Sequence, residues 1–420
     1  MLIASEPVPT GSIKTRPMIF RSWALHTCGW IIAAMQIGWF ILAYRAHGWL
    51  ADGEGVPRYL DFTTIYTTAT LALKGQAGLI DSPAKFLHAQ DAVVGAGKAL
   101  YTSWPHPPTI LLFLAPLALV PYLMAFLIWE LTTLLGYIAT IYAIARRSAA
   151  IALVLASPFT AANFGNGNVA FLSSSLLGTS LLLLERRPIL AGAFIGILTI
   201  KPHWGILVPI ALVTSGQWRA IGSAIVVAIV FAVASATAFG VTPWLGLPAQ
   251  IATQAVANLS YRPETLSLRY DPRETWYLYQ TVFGLARALH FGPVVAWSAQ
   301  AVSTCGSALI VWLVWRSKTR YSLKAATLAA GVLLATPYGY STDLTAVAVS
   351  IAFLARDQIL YGLLKGEELM LLAVAFGLLE RGLFHLPIGS VVIMLLMFII
   401  LRRVFACWGQ HPRRAPLLPG

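Results

Sequence analysis

The chain has 420 residues, of which 58% are hydrophobic and only 11% charged, with a formal net charge of +13. Soluble domains carry roughly 25% charged residues, so a mean hydropathy of +0.74 and recurring apolar runs of roughly 20 residues indicate a polytopic membrane protein. A cytosolic enzyme, a disulfide-stapled secreted module and a disordered scaffold are excluded.

The basic residues fall in short clusters between apolar runs rather than along one soluble face. They therefore read as topology signals and not as a nucleic-acid surface, and no nucleic-acid partner is expected. Cys28, Cys305 and Cys407 have neither CxxC nor metal-ligand spacing, so they read as apolar packing residues.

In chain order, Lys14, Arg16 and Arg21 precede a first apolar run at residues 23–44. The run is long and no small-residue cleavage site follows it, which argues for a span and against a cleavable signal. Arg146-Arg147, Arg186-Arg187, Arg219, the stretch 316–324, Arg402-Arg403 and Arg413-Arg414 are expected to face the cytoplasm, so an even number of passes separates them. Residues 45–121 are then external, with the apolar piece 109–120 too short to span and interrupted by Pro116, hence interfacial or re-entrant. Residues 124–145 return. The runs 149–162 and 169–184 form a pair hinged outside at 163–168, and 189–200 with 205–213 form another hinged at 201–204. Residues 221–239 lead out to a second external stretch, 240–293, whose piece 276–289 is amphipathic and either interfacial or buried. The runs 294–315, 325–336, 344–354, 369–379 and 388–401 complete the chain.

The expectation is an all-α polytopic bundle of roughly eleven or twelve transmembrane helices with external interfacial helices. Residues 1–21 and 405–420 would be cytoplasmic tails around one membrane domain, 22–404, without a separate soluble domain.

Ionisable and polar groups at membrane depth are costly and are functional candidates by default. This topology gathers Asp61, Lys74, His106, Asn163, Asn166, Asn168, Lys201, His203, Arg269, Arg273, Tyr338, Tyr340 and Asp343 on the outer face. Asp61 opens a Thr-rich stretch that reads as an amphipathic helix at the interface. As its N-cap, Asp61 would have its charged form favoured by the helix dipole, and it is either a cap or a functional carboxylate. Lys201, followed by Pro202, sits at the end of an apolar run, where a compact cation suits a phosphate or carboxylate, or snorkels to headgroups. The turn Gly165-Asn-Gly-Asn168 offers backbone N–H and amide groups at one point, or marks only a turn. In Trp104-Pro-His-Pro-Pro108 the prolines hold the chain extended, and His106 fits a ligand, an acid or a turn residue. Arg269 and Arg273 lie in a charged loop and are candidate phosphate contacts. No Walker lysine loop, dinucleotide fingerprint or HExxH is present. An aspartate beside several phosphate-capable cations fits chemistry on a lipid-linked anionic substrate.

The ordered set Asp61-Phe-x-x-x-Tyr66 with Lys74-Gly75, Trp104-Pro-x-Pro-Pro108, Trp129, Phe164-Gly-Asn-Gly-Asn168, Gly192 with Gly196, and Lys201-Pro202 resembles a known family. It is similar to the polyprenyl-phosphate-dependent integral-membrane glycosyltransferases of family 87, of GT-C fold, with mannosyl- and arabinofuranosyltransferase members in cell-envelope synthesis. The resemblance extends over about residues 20–355 and includes a distant echo at 279–287. It implies that Asp61 is the general base on an acceptor hydroxyl, which attacks C1 of a polyprenyl-phosphate sugar with inversion. It also implies that Lys201, Arg269 and Arg273 stabilise the departing phosphate. Tyr66, His106, Asn166, Asn168, His203, Tyr338, Tyr340 and Asp343 would line the substrates. The implied partners are the polyprenyl-phosphate sugar donor, a glycolipid or glycan acceptor and membrane lipid, in a multi-pass plasma-membrane protein with its site outside. GT-C enzymes differ in metal use, and because a lone Asp61 makes a thin metal site, no metal or other cofactor is expected. Two departures, Asn166 where the family commonly has glutamine and no histidine or tryptophan after Pro337, bear on sugar and acceptor specificity more than on reaction class. The competing reading, a transporter or flippase, would call for inverted repeats and midplane charges. No repeat is visible and the polar set lies on one face.

Overall fold

The computed structural model describes residues 22–99, 104, 106–259, 276, 279–379 and 387–409. Every regular element among them is helical. The chain opens with α1 (Ser22–Arg45), α2 (Asp61–Leu73) and α3 (Pro83–Val94), then a short helical segment, Pro108–Leu119, containing α4 (Leu111–Leu114). Next come α5 (Tyr122–Ala145), α6 (Ala149–Ala156), α7 (Pro158–Asn166), α8 (Ala170–Leu183) and α9 (Pro188–Ile197). Two 3-10 turns, Leu198–Ile200 and Pro202–Gly205, lead into α10 (Val208–Thr214), α11 (Trp218–Phe239) and α12 (Thr242–Leu259). The rest comprises α13 (Val282–Ala288), α14 (Pro293–Arg316), α15 (Tyr321–Ala335), a 3-10 turn at Ser341–Leu344, α16 (Thr345–Tyr361), α17 (Glu367–Leu379) and α18 (Gly389–Gly409).

Six described helices are long and apolar enough to cross a membrane, and α6 with α7, bent by 59°, makes a seventh candidate. Five further apolar helices have only 10–17 residues. The expected eleven or twelve passes counted every apolar run alike; at 1.5 Å per residue the shorter ones fall short of a hydrocarbon core about 30 Å thick. Their place in the bundle accounts for their composition. In α15 every residue from Ala325 to Ala335 is buried, and α15 packs on α14, α16 and α18. By contrast, α1 exposes Ile31, Met35, Trp39 and Leu42 along one stripe, and α11 exposes Ile225, Ile229 and Val233. A bilayer covers such surfaces.

Two pieces, α2, expected at the interface, and 109–120, expected to be interfacial or re-entrant, pack largely against the rest of the protein. Nine of the 13 residues of α2 are buried. Its threonines look polar in sequence, yet Thr68 and Thr70 donate to the carbonyls of Thr64 and Tyr66 at 2.7 and 2.8 Å, which offsets the cost of taking those two hydroxyls from water, while Thr67 Oγ1 is buried without a partner among the described residues. In the segment Pro108–Leu119, Thr109, Ile110, Leu111 and Leu114 are each 2% exposed or less, packed against α2 and α11. Cys28 and Cys305, expected to pack, stand exposed on α1 and α14.

Candidate functional site

The turn between α7 and α8 is shaped to meet the start of α2. Gly167 ends α7 in the left-handed region at φ +74°, and a Cβ there would approach Phe62 Cβ to 2.5 Å. Only glycine permits both the conformation and the contact. Beneath it, Phe62, Phe126 and Phe164 form an edge-packed aromatic floor with centroids 5.3 and 6.2 Å apart, and Trp49 Nε1 donates to the Gly165 carbonyl at 2.9 Å. The turn so held delivers Asn168, whose Nδ2 donates to Asp61 Oδ2 at 3.1 Å.

Asp61 is the first residue of α2 and not its cap. Leu60 occupies the cap position, and Thr63 Oγ1 accepts the Leu60 N–H at 3.0 Å while meeting Tyr122 Oη at 3.1 Å. The first turn still places the carboxylate where the helix dipole favours negative charge. Two acceptors nearby in the chain, Asn163 Oδ1 and Asn168 Oδ1, are buried without a hydrogen-bond partner among the described residues. Buried orphans of this kind are uncommon and suit a ligand's hydroxyl groups.

A second group gathers around Lys201, which is 4% exposed. The break after the Leu198–Ile200 turn turns its ammonium onto Asp343 Oδ1, and the ammonium also lies 4.9 Å from the Trp204 ring centroid. The other oxygen of Asp343 accepts the Tyr340 N–H at 2.9 Å. His106 stacks obliquely on Trp104 at 4.9 Å and approaches the Ile200 carbonyl with Nδ1 at 3.4 Å. Burial, reinforced by the charge of Lys201, pushes the His106 imidazole down to about 4, so it is neutral near pH 7. His203 lies 6.4 Å from the Tyr338 ring, and Tyr340 Oη meets Tyr279 Oη at 3.0 Å. Behind them, Gln280 N donates to the Gly339 carbonyl and Gln280 Oε1 accepts the Gly389 N–H, both at 2.8 Å.

The two groups share one support. Thr345, at the start of α16, has its Oγ1 2.8 Å from Ser174 Oγ of α8, and its carbonyl accepts from Tyr137 of α5 at 2.8 Å. The turn Ser341–Leu344 packs on α7 and α8.

Of the residues singled out in the sequence, Asp61 and Asn168 are thus in contact. Lys201, Asp343, His106, His203, Tyr338 and Tyr340 form the neighbouring cluster. Tyr66 is engaged elsewhere, its hydroxyl donating to the Val120 carbonyl at 3.0 Å. Asn166 turns its amide back onto its own helix, to the Ala162 carbonyl at 2.9 Å. Arg269 and Arg273 lie outside the described residues. Trp49, Tyr122 and Trp204 were not singled out; aromatic residues are so frequent here that composition gave them no distinction.

The family model for glycosyltransferase family 87 matches residues 104–337. No curated protein and no solved structure matches the chain. The matched span contains His106, Asn168, Lys201 and His203, while Asp61 precedes it and Asp343 follows it. With more than half of its length matched, this helical membrane chain belongs to glycosyltransferase family 87.

Proposed function

We propose that the protein transfers a sugar from a polyprenyl-phosphate donor to a hydroxyl of a glycolipid or glycan acceptor at the outer face of the cell membrane, with Asp61 as general base. The observation that carries this reading is the hydrogen bond from Asn168 to Asp61. It holds the carboxylate in place through Oδ2, the positioning that a general base in hydrogen-bond reach of its proton requires. Asp61 takes the acceptor proton as the acceptor oxygen forms its bond to C1. The C1–O bond to phosphate breaks on the opposite face, so the lipid phosphate leaves and the anomeric configuration inverts. The unpaired oxygens of Asn163 and Asn168 suit sugar hydroxyls. Lys201, fixed by Asp343, keeps two further N–H donors and is the proposed cation for the leaving phosphate. Arg269 and Arg273 are proposed with it, and His106, His203, Tyr338 and Tyr340 as the walls around the sugar.

The test incubates the purified protein with a panel of polyprenyl-phosphate sugars and membrane lipids and identifies products by mass spectrometry. Asp61→Asn should lower transfer by about 10²–10⁴-fold, the usual range for a general base, with insertion and melting temperature retained. Transfer within about threefold of the wild type would remove Asp61 from the role, and no product with any donor would sink the reading as a whole.

A further inference from the structure

Between α2 and α3 lies a cleft of about 690 Å³ that the transfer chemistry does not use. Tyr66, Thr70 and Lys74 face it at helical spacing from α2, and Lys85, His88 and Ala92 do so from α3. Lys74 is 13 residues beyond Asp61, roughly 20 Å along the helix axis, and the stripe bearing it points away from the Asp61 side. The Lys74 end of the cleft is therefore well removed from the atoms that react at Asp61.

Its chemistry is one-sided. Among the described residues, two lysines and an imidazole line it without a single carboxylate, and neither lysine has an ion-pair partner there. The dipole of α2 explains a cation at Lys74, at the C-terminal end of that helix; it does not explain Lys85 and His88 on a different helix. The remaining walls are apolar, among them Leu71, Leu79 and Ala118. Leu73 and Leu119, chain neighbours of the lining residues Lys74 and Ala118, are 46% and 74% exposed, which puts exposed apolar side chains next in sequence to the cleft's lining. A small soluble anion has no use for that surface, whereas an amphipathic anion does.

We propose that this cleft binds the phosphate-bearing headgroup of an anionic membrane lipid, with Lys74, Lys85 and His88 around the phosphate and the acyl chains leaving past Leu73 and Leu119. The site is independent of the glycosyl-transfer reading and survives its failure. It would seat the segment between α1 and α5 against the bilayer surface.

The test uses the full chain in nanodiscs of phosphatidylcholine containing either photoactivatable phosphatidylglycerol or photoactivatable phosphatidylcholine, the reactive group being near the headgroup. Cross-linked peptides are mapped by mass spectrometry. Phosphatidylglycerol should label the α2–α3 peptides well above phosphatidylcholine. Lys74→Gln with Lys85→Gln should lower that preference roughly twenty-five-fold, at about a fivefold contribution for each cation near a membrane surface. Labelling of the lipid-facing helix α11 should stay unchanged and reports that the variant is inserted and folded. Adding inorganic phosphate at about 20 mM should leave the α2–α3 labelling intact, since a free anion gains nothing from the apolar exit. Equal labelling by the two lipids, or labelling that survives the double substitution, would overturn the proposal. Loss of labelling with inorganic phosphate alone would also overturn it, by showing a site for a free anion.

Discussion

At Lys201 the cost of burying a charge is met by one carboxylate. The ammonium bonds Asp343, and the pair is almost wholly removed from solvent, with side chains 5% and 2% exposed. Removing one member of such a pair leaves a bare buried charge and costs about 3–5 kcal/mol, whereas replacing both is close to neutral. Lys201→Met and Asp343→Asn should each lower the melting temperature of the detergent-solubilised protein by several degrees. The double variant should recover most of the loss, because the amide oxygen that replaces the carboxylate would still accept the Tyr340 N–H. Losses that simply add would show that the two side chains are not energetically coupled. Transfer separates structure from chemistry: every variant lacking Lys201 should remain slow even when its stability is restored. The sequence made Lys201 and Asp343 conspicuous because charge is so scarce in this chain. It could not show them paired, since they are 142 residues apart and only the tertiary fold brings them together.

Helical elements differ in how openly the sequence declares them. The long runs that became α1, α5, α11, α14 and α18 were legible because lipid-facing helices of about 20 residues need uninterrupted apolar sequence. The Thr-rich α2 reads in sequence as half-solvated, yet nine of its 13 residues are buried against the protein; the bonds of Thr68 and Thr70 back to their own helix and of Thr64 to Gln90 are not revealed by composition. The turn at Gly167 was visible as a turn, but its contact with Phe62 was not. Gly192 and Gly196 form another such case, marked in the sequence by spacing alone. A Cβ at Gly192 would lie 2.2 Å from the Ala220 carbonyl oxygen, and one at Gly196 would lie 2.7 Å from that of Ala224. Small residues at this spacing let helix backbones approach closely, here α9 against α11. Gly192→Ala should therefore destabilise by about 1–3 kcal/mol through overpacking. Gly222, on α11, has open space within 4 Å of its would-be Cβ, so Gly222→Ala should be neutral or slightly stabilising through helix propensity. Thermal melts of the two variants side by side decide the matter; equal effects would mean that the close approach of α9 and α11 carries no energetic weight.

Across the whole molecule, α16 links the Lys201–Asp343 cluster at one end to a second ionic cluster at the other. Arg403 on α18 is 2% exposed. It donates to Glu367 Oε1 and to Asp357 Oδ2, each at 2.6 Å, and Arg320 Nε lies 2.9 Å from Asp357 Oδ1. Two arginines thus neutralise two carboxylates and tie α15, α16, α17 and α18 together. In the sequence Arg402 and Arg403 read as equivalent topology charges; the structure separates them. Among the described residues, Arg402 reaches the Met370 sulfur, at 3.6 Å, and the Lys365 carbonyl, at 3.0 Å, but no carboxylate. Arg403→Met would leave Asp357 and Glu367 short of a counter-ion and should cost about 3–5 kcal/mol. Arg402→Met, losing two partly exposed contacts, should cost less than about 1 kcal/mol. The 14 residues from Asp343 to Asp357 span roughly 21 Å of helix, which sets this cluster well away from the Lys201–Asp343 pair. Transfer per folded molecule should consequently be unchanged in either variant, with the loss in Arg403→Met confined to melting temperature and yield. If Arg403→Met instead slowed transfer at temperatures where the protein is fully folded, the two ends of the bundle would be coupled through α16, and the ionic cluster could no longer be regarded as a purely structural clamp.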